Sequence, residues 1–169
     1  MRCFVGVPVI GALAGQCKSL SLGLPRAIPR SNLHMTLGFL GEQTPSRVKS
    51  LSSALELLCA SQSPFELVLQ QCEPFPGPEG PFLALVAELS EPLAHLHGAL
   101  WACLEEHGVE RETRPFRPHI TLARPGMGMA AQRGEWRLQV DQICLYQSEL
   151  VQGGPPGYRP LSQHRLVGG

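Results

Sequence analysis

The sequence predicts an α+β fold built from antiparallel strands and a few helices. Short apolar runs bounded by glycine or proline indicate strands, and leucines that recur every three or four residues indicate helices. Several strand-like runs follow one another without a helix between them, which indicates largely antiparallel pairing. The chain has 169 residues and is 43% hydrophobic, so it has the size and composition of one domain with one core.

The individual elements follow from local patterns along the chain. We expect strands at residues 2–9, 33–40, 65–69, 82–89, 119–123, 135–140, 143–148 and 158–167. Helices are expected at 11–20, at 45–60 with Thr44 as the N-terminal cap, and at 92–108. Proline and glycine predict loops at 22–30, 72–81 and 124–133, and a turn at 153–157.

The composition argues against several classes of protein. The formal net charge is zero, so no overall field attracts nucleic acid. Asp141 is the single aspartate among fourteen acidic residues, and the sequence has no carboxylate cluster of the kind that holds two metal ions. Nor does it contain a glycine-rich phosphate loop. We therefore expect no metal and no cofactor.

Cysteine usage and hydropathy bear on location. The six cysteines include no C-x-x-C pair, so we interpret them as reduced, mostly buried side chains. No apolar run approaches the ~20 residues that span a bilayer. Residues 3–15 imitate a signal peptide, but Pro8 interrupts the run and its valines suit a strand. The expectation is a cytoplasmic monomer without membrane contact.

A short motif occurs twice, half a chain apart. His34-Met35-Thr36-Leu37 and His119-Ile120-Thr121-Leu122 both read H-x-T-L, and both lie in expected strands. With six histidines and four threonines in 169 residues, chance placement gives about 0.14 such His-x-Thr pairs. Residues i and i+2 of a strand share a face, so each histidine has a threonine hydroxyl beside it. The alternative is two half-buried strands with ordinary polar faces.

Two such imidazole–hydroxyl pairs across a cleft suit acid–base chemistry at phosphorus. One histidine would take a proton from water, and the other would give a proton to the leaving oxygen on the opposite side. The hydroxyls and an arginine would stabilise charge on the other phosphate oxygens. Four arginines near the second motif offer such a group, namely Arg111, Arg114, Arg117 and Arg124.

At these residues the chain resembles the two-histidine (2H) phosphoesterase superfamily. Within it, the resemblance is to the RNA 2',3'-cyclic phosphodiesterases, formerly called 2'-5' RNA ligases. The segments 32–41 and 116–124 carry it, and 1–5, 145–148 and 158–161 are also similar. The resemblance implies one two-lobed domain over residues 1–169. It further implies two antiparallel sheets facing a central groove, helices outside and pseudo-twofold halves.

The resemblance also implies a reaction: hydrolysis of a 2',3'-cyclic phosphate at an RNA end to a 2'-phosphate, without metal. It implies His34 as proton donor, His119 as proton acceptor, and Thr36, Thr121 and Arg124 as phosphate-binding residues. Joining of RNA ends by the reverse reaction is chemically allowed. Two alternatives stay open: a module that binds nucleotide or RNA ends without turnover, and an enzyme for another cyclic phosphodiester such as ADP-ribose cyclic phosphate.

Some positions depart from the family pattern or need a special geometry. Many relatives have tryptophan upstream of the first motif, where this chain has residues 25–28, and many have lysine in place of Gly38. Arg124 follows His119 by five residues, so a bulge after Leu122 is required to bring it to the same face. Phe39 and Arg117 are further expected substrate contacts.

Overall fold

The computed structural model describes residues 1–124 and 128–169, and it confirms the α+β class. Its strands are β1 (Arg2–Pro8), β2 (Arg26–Ala27), β3 (His34–Glu42), β4 (Phe65–Phe75), β5 (Phe82–Val86), β6 (His119–Arg124), β7 (Gln132–Val140), β8 (Gln142–Glu149) and β9 (Gly157–Arg165). Its helices are α1 (Gly11–Leu20), α2 (Pro45–Cys59) and α3 (Glu91–Glu106).

The strands form two groups of four that meet in the middle of the molecule. The order is β7-β4-β5-β6-β3-β1-β8-β9, every pairing is antiparallel, and β2 adds to β6. The ladder between β6 and β3 consists of one pair, Met35 opposite Ile120. The two expected sheets are therefore joined into one continuous sheet at the strands that carry the repeated motif.

The two groups repeat the same local order. In the first, β1 leads through α1 to β3, which pairs antiparallel with β1. In the second, β5 leads through α3 to β6, which pairs antiparallel with β5. Each motif strand is thus the inner strand of its group and follows a helix. This order is what two related halves predict.

The helices cover one face of the sheet and connect the two groups. Although α1 follows β1, it contacts β6 and β7 of the other group, and α2 contacts α3 and β9. Trp101 of α3 lies beneath Gly38 of β3, where an added Cβ would come within 2.6 Å of the indole. Met35 and Ile120 point into this helix-covered core. Because side chains alternate along a strand, the motif histidines and threonines face the other way.

The start of α2 follows the capping residue that the sequence predicts, and α3 has an equivalent cap that was not expected. The Thr44 hydroxyl accepts a hydrogen bond from the Arg47 amide, and Ser90 does the same for Leu93 at the start of α3. Gly108 adopts a positive φ of 79° just after α3, a conformation that favours glycine. Both long helices therefore begin and end close to their expected positions.

The expected loop at 72–81 is wrong in its first part, since β4 continues to Phe75. Pro74 can lie in this strand because β7 stops pairing at Cys72, so no partner on that side needs the missing N–H group. The strand β2 within 22–30 was also not expected. Arg124 ends β6 and β7 begins at Gln132, so the loop expected at 124–133 is shorter, and its residues 125–127 lie outside the described part.

His164 has a role that the sequence does not reveal. Its side chain is 4% exposed, and Nδ1 lies 2.6 Å from the Glu56 carboxylate. Its Nε2 lies 2.8 Å from the Ser162 hydroxyl, which accepts a hydrogen bond from Ser52. The network fastens the edge strand β9 to α2. In the described ranges, none of the helices has the length and apolar character needed to cross a membrane.

Candidate active site

The register of β3 and β6 brings the two motifs together. Since Met35 lies opposite Ile120 in an antiparallel pair, the flanking positions place His34 beside Thr121 and Thr36 beside His119. All four flanking side chains are half-buried and lie on the face away from the helices. The sequence-predicted histidines and threonines therefore form one compact group.

Each histidine ring is oriented by a carbonyl oxygen two residues earlier. Nδ1 of His34 is 2.7 Å from the Asn32 carbonyl, and Nδ1 of His119 is 2.8 Å from the Arg117 carbonyl. A carbonyl only accepts hydrogen bonds, so Nδ1 carries the proton in both neutral rings. The Nε2 atoms therefore hold the lone pairs and are the atoms available for proton transfer.

The two Nε2 atoms differ in their partners. Nε2 of His34 is 2.9 Å from the Thr36 hydroxyl, which donates to it while the ring is neutral. In the part of the chain that the structure describes, no hydrogen-bond partner is found for Nε2 of His119 or for the Thr121 hydroxyl. In the first H-x-T motif the histidine and threonine side chains are hydrogen-bonded to each other, whereas in the second motif the structure shows no such bond.

Aromatic rings enclose His34. Its ring centroid lies 4.9 Å from that of Phe4, 5.0 Å from Tyr158 in an edge arrangement, and 5.9 Å from Tyr146. Burial among these rings lowers the pKa of His34, the hydrogen bond to Asn32 opposes this effect, and the charge of His119 lowers the pKa further. The ring is therefore neutral at pH 7 in the free protein.

His119 has a different support. Phe75 stacks on its ring at 4.0 Å with an interplanar angle of 18°. The Arg117 guanidinium lies 4.6 Å from the centre of the same Phe75 ring and donates to the Pro76 carbonyl. Burial lowers the pKa of His119, the hydrogen bond to the Arg117 carbonyl raises it, and the Arg117 charge lowers it. The Arg117 guanidinium thus contacts the same ring that stacks on His119.

The expected bulge in β6 is present. Successive residues of β5 pair with Thr121 and then with Ala123, so Leu122 is the extra residue. The bulge changes the alternation of side chains, and Arg124 reaches the face of the motif residues. The bulge lies at Leu122 itself rather than after it, and the phosphate-binding role of Arg124 stays a prediction.

Aromatic contacts locate the Arg124 guanidinium. It lies 4.5 Å from the centre of the Phe82 ring. Phe82 is paired with Phe75, the residue that stacks on His119. Burial raises the pKa of Tyr158, and the positive charge of Arg124 opposes this rise. Arg124 therefore lies on the same face of the sheet as Phe75 and His119.

The other candidate residues lie at the rim. Phe39 is 52% exposed, its ring is 6.1 Å from Phe4, and its amide donates to Glu112. Arg111 and Arg114 are ion-paired, to Glu105 at 3.5 Å and to Glu112 at 4.0 Å. Of the four arginines near the second motif, these two form ion pairs with carboxylates.

Sequence reasoning missed the surroundings of the histidines. Phe4, Phe75, Tyr146 and Tyr158 come from four different strands, and no local pattern links them to either motif. The partner of His34 Nδ1 is the backbone carbonyl of Asn32, and residue types alone do not predict such a backbone contact. Within residues 1–124 and 128–169, no group of three or more histidine, cysteine or acidic side chains is arranged to hold a metal ion.

Curated relatives of this chain share a name. It is 30% identical to an RNA 2',3'-cyclic phosphodiesterase of Thermus thermophilus over 85% of this chain and 76% of that protein. It is 26% identical to a protein of the same name from Geobacillus stearothermophilus, over 98% of this chain. The chain spans 57% of the length of that second relative.

Solved structures share the fold. A crystal structure of a Thermus thermophilus protein matches with a TM-score of 0.86 at 26% identity, covering 99% of both chains. Escherichia coli LigT complexed with 3'-AMP matches with a TM-score of 0.79 at 26% identity, covering 98% of both chains. The sequence pattern of the 2'-5' RNA ligase superfamily matches residues 11–151. With the two motifs on adjoining strands, this match shows that the chain belongs to the 2'-5' RNA ligase superfamily.

Proposed function

We propose that this protein hydrolyses RNA 2',3'-cyclic phosphate ends to 2'-phosphates by paired histidine acid–base catalysis, without a metal ion. The observation that carries the proposal is that two imidazoles share one face of adjoining strands, each with Nδ1 bound to a carbonyl and Nε2 left for proton transfer. The names of the curated relatives support cyclic phosphodiesterase activity.

In the proposed reaction His119 is the base and His34 is the acid. Nε2 of His119, which has no partner in the described chain, takes a proton from the attacking water. The new P–O bond forms as the bond from phosphorus to the 3' oxygen breaks, and protonated His34 gives its Nε2 proton to that oxygen. The product carries a 2'-phosphate, and proton exchange with solvent restores both rings.

The hydroxyls and Arg124 would bind the phosphate oxygens. Thr36 donates to His34 while the ring is neutral, but a protonated His34 donates through Nε2 and releases the Thr36 hydroxyl for the substrate. Thr121 and the Arg124 guanidinium supply further donors. A phosphate bound between the histidines raises the pKa of each, so the substrate itself favours the protonated acid.

The same groups would permit a joining reaction. If the 5'-hydroxyl of a second RNA replaces water, His119 deprotonates it and the product is a 2'-5' linkage. Hydrolysis dominates when water is in large excess, so joining is the minor reaction. Escherichia coli LigT, whose structure is similar to this one, is complexed with 3'-AMP, a nucleotide with a phosphate on its ribose.

The test is turnover of a short RNA ending in 2',3'-cyclic phosphate, with excess chelator present. We expect conversion to a 2'-phosphate end at an unchanged rate. His34→Ala and His119→Ala should each lower kcat by ~10²–10⁴-fold. His95→Ala, at an exposed position of α3, is the matched control and should keep full activity.

Three outcomes would contradict the proposal. Loss of activity in chelator that a divalent ion restores would exclude the metal-free mechanism. Tight binding of the RNA end without turnover would favour a binding module. Much faster turnover of ADP-ribose cyclic phosphate than of any RNA end would change the substrate class.

We further propose that residues 1–169 act as one two-lobed domain, as a monomer in the cytoplasm. The crossing of α1 and α3 between the strand groups supports a single cooperative unit, and the six free cysteines suit a reducing compartment. Two separated unfolding transitions, or a dimer in light scattering, would contradict the first two statements. Fractionation tests the third.

A further inference from the structure

Two arginines lie directly opposite each other beside the candidate site. Arg26 of β2 pairs with Arg124 of β6, and both side chains are exposed. Like charges on opposed residues of an antiparallel pair are unfavourable. No carboxylate of the described residues forms an ion pair with either arginine. Such a pair is stabilised when an anion binds between the two guanidinium groups.

The backbone that carries Arg26 is held in place. The Ile28 amide donates to the Leu122 carbonyl at 2.8 Å, and the Lys18 ammonium donates to the Ile28 carbonyl at 2.8 Å. These bonds extend the pairing of β2 with β6 and attach it to α1. The backbone of Arg26 is therefore held beside that of Arg124 by main-chain pairing.

The arginine pair lies on the same face as the two histidines, beyond Thr121 along β6. Arg124 rests on Phe82, which is paired with Phe75, and Phe75 stacks on His119. Arg26 is one strand spacing beyond Arg124, about 5 Å between Cα atoms. A ligand that extends from the histidines along β6 beyond Thr121 therefore reaches the Arg26–Arg124 pair.

We propose that Arg26, together with Arg124, forms a second anion subsite that binds the phosphate on the 5' side of the terminal nucleotide. This inference rests on the proposed function, in which Arg124 also binds the cyclic phosphate. The planar guanidinium of Arg26 offers paired donors that match two phosphate oxygens. The subsite makes the enzyme favour ends of RNA chains over nucleoside 2',3'-cyclic monophosphates, which lack that second phosphate.

The experiment compares two substrates that differ only at the 5' position. These are adenosine 2',3'-cyclic phosphate and the same nucleotide with a 5'-phosphate. For the unaltered protein we expect the 5'-phosphate to raise kcat/KM about tenfold, mainly through a lower KM, because hydrogen bonds to charged groups are among the stronger ones. The readout is the ratio of the two kcat/KM values.

Three variants test which residue sets this ratio. Arg26→Gln should bring the ratio close to one, and Arg26→Lys should keep part of it, because lysine retains the charge without the paired donors. Lys49→Gln removes one positive charge from an exposed position of α2 and is the matched control, so it should keep the full ratio. The ratio should also fall with increasing salt in the unaltered protein and less steeply in Arg26→Gln.

A binding measurement separates this inference from the proposed reaction. Calorimetry with adenosine 2'-phosphate and adenosine 2',5'-bisphosphate should show the same preference for the 5'-phosphate and the same dependence on Arg26. If binding shows this pattern and neither cyclic substrate is turned over, the subsite stands and the proposed reaction fails. If turnover occurs with a ratio near one, or if Arg26→Gln and Lys49→Gln lower the ratio equally, the subsite is excluded.

Discussion

The two H-x-T units share one backbone design but differ in what surrounds them. His34 is enclosed by Phe4, Tyr146 and Tyr158, and its Nε2 is occupied by its own threonine. His119 rests on the single ring of Phe75, and its Nε2 is open. The carbonyl two residues before each histidine fixes which nitrogen carries the proton, whereas the neighbouring strands determine how each ring takes part in the reaction.

The difference suits opposite roles. A base must offer its lone pair in the free enzyme, which the open His119 does. An acid must hold a proton against the leaving group, and the enclosed His34 gains that proton most readily when a negative phosphate lies beside it. The asymmetry thus matches the proposed order of proton transfers.

The largest expected effect distinguishes the two histidines by pH. The base must be neutral, so kcat/KM falls as the pH decreases below the pKa of His119. The acid must be protonated, so kcat/KM falls as the pH increases above the pKa of His34. In addition to a ~10²–10⁴-fold loss, His119→Ala should abolish the acidic limb and His34→Ala the alkaline limb. If the residual activity of His119→Ala loses the alkaline limb and that of His34→Ala loses the acidic limb, His34 is the base and His119 is the acid.

A smaller effect is expected from the threonines. Thr36→Val removes a donor to neutral His34 and to the phosphate, whereas Thr121→Val removes a phosphate donor only. We expect kcat to fall about tenfold for each, from the loss of a hydrogen bond to a charged group. In Thr36→Val alone, the pKa of His34 should also rise, because the neutral ring loses its donor. NMR titration of the imidazole signals in both variants measures the pKa of His34. If this pKa is the same in Thr36→Val and Thr121→Val, Thr36 has no separate effect on the ring.

The support beneath His119 gives the next prediction. Phe75→Leu keeps an apolar side chain but removes the stacked ring, so we expect a loss in kcat/KM of about threefold to tenfold at pH 7, consistent with aromatic contacts of ~0.5–1.5 kcal/mol. Phe65→Leu, in the same strand and half-buried, is the matched control. If both variants lose activity equally, the effect arises from general packing of β4.

Stability should depend on pH through the same two rings. In the unfolded chain each titrates near 6.5, while burial lowers both pKa values in the folded protein. Below pH 6.5 the unfolded chain therefore binds more protons, and the free energy of unfolding decreases as the pH falls towards the folded pKa values. Urea unfolding at about pH 7.5 and about pH 5.5, on either side of the unfolded pKa, measures the decrease, which inorganic phosphate should reduce. A His34→Gln, His119→Gln double variant should show a smaller decrease, and an unchanged one would contradict this origin.

The smallest effects are expected at the ion-paired arginines. Arg111 and Arg114 already contact glutamates at the surface, where such pairs contribute ~0–1 kcal/mol. Arg111→Ala and Arg114→Ala should change kcat/KM less than about twofold. Arg124→Ala, in contrast, should lower kcat/KM by much more. An effect of Arg114→Ala as large as that of Arg124→Ala would extend the substrate contact to the segment before β6.

The sequence predicts those features that depend on local pattern. The spacing of His34 and Thr36 places both on one face of a strand, and Thr44 followed by proline marks the start of α2. The position of Arg124 required a bulge, and β6 has it. These conclusions need only strand geometry and hydrogen-bonding capacity, which neighbouring residues determine.

Features that depend on distant strands were not predictable. Phe75 lies in a proline-rich segment that reads as a loop, and it becomes a strand residue only because β5 pairs with it. Arg26 lies in a strand of two residues, too short for any periodic signal. The partner of His164 is more than one hundred residues away in the sequence. In each case tertiary pairing, not local preference, decides the structure.

The contact between Gly38 and Trp101 places a constraint on related sequences. An added Cβ at position 38 would overlap the indole by far more than normal packing allows. Any relative with a lysine at this position must therefore carry a smaller residue, or a displaced helix, where this chain has Trp101. We expect the two positions to change together during divergence, because a single substitution at either one leaves a clash or a cavity.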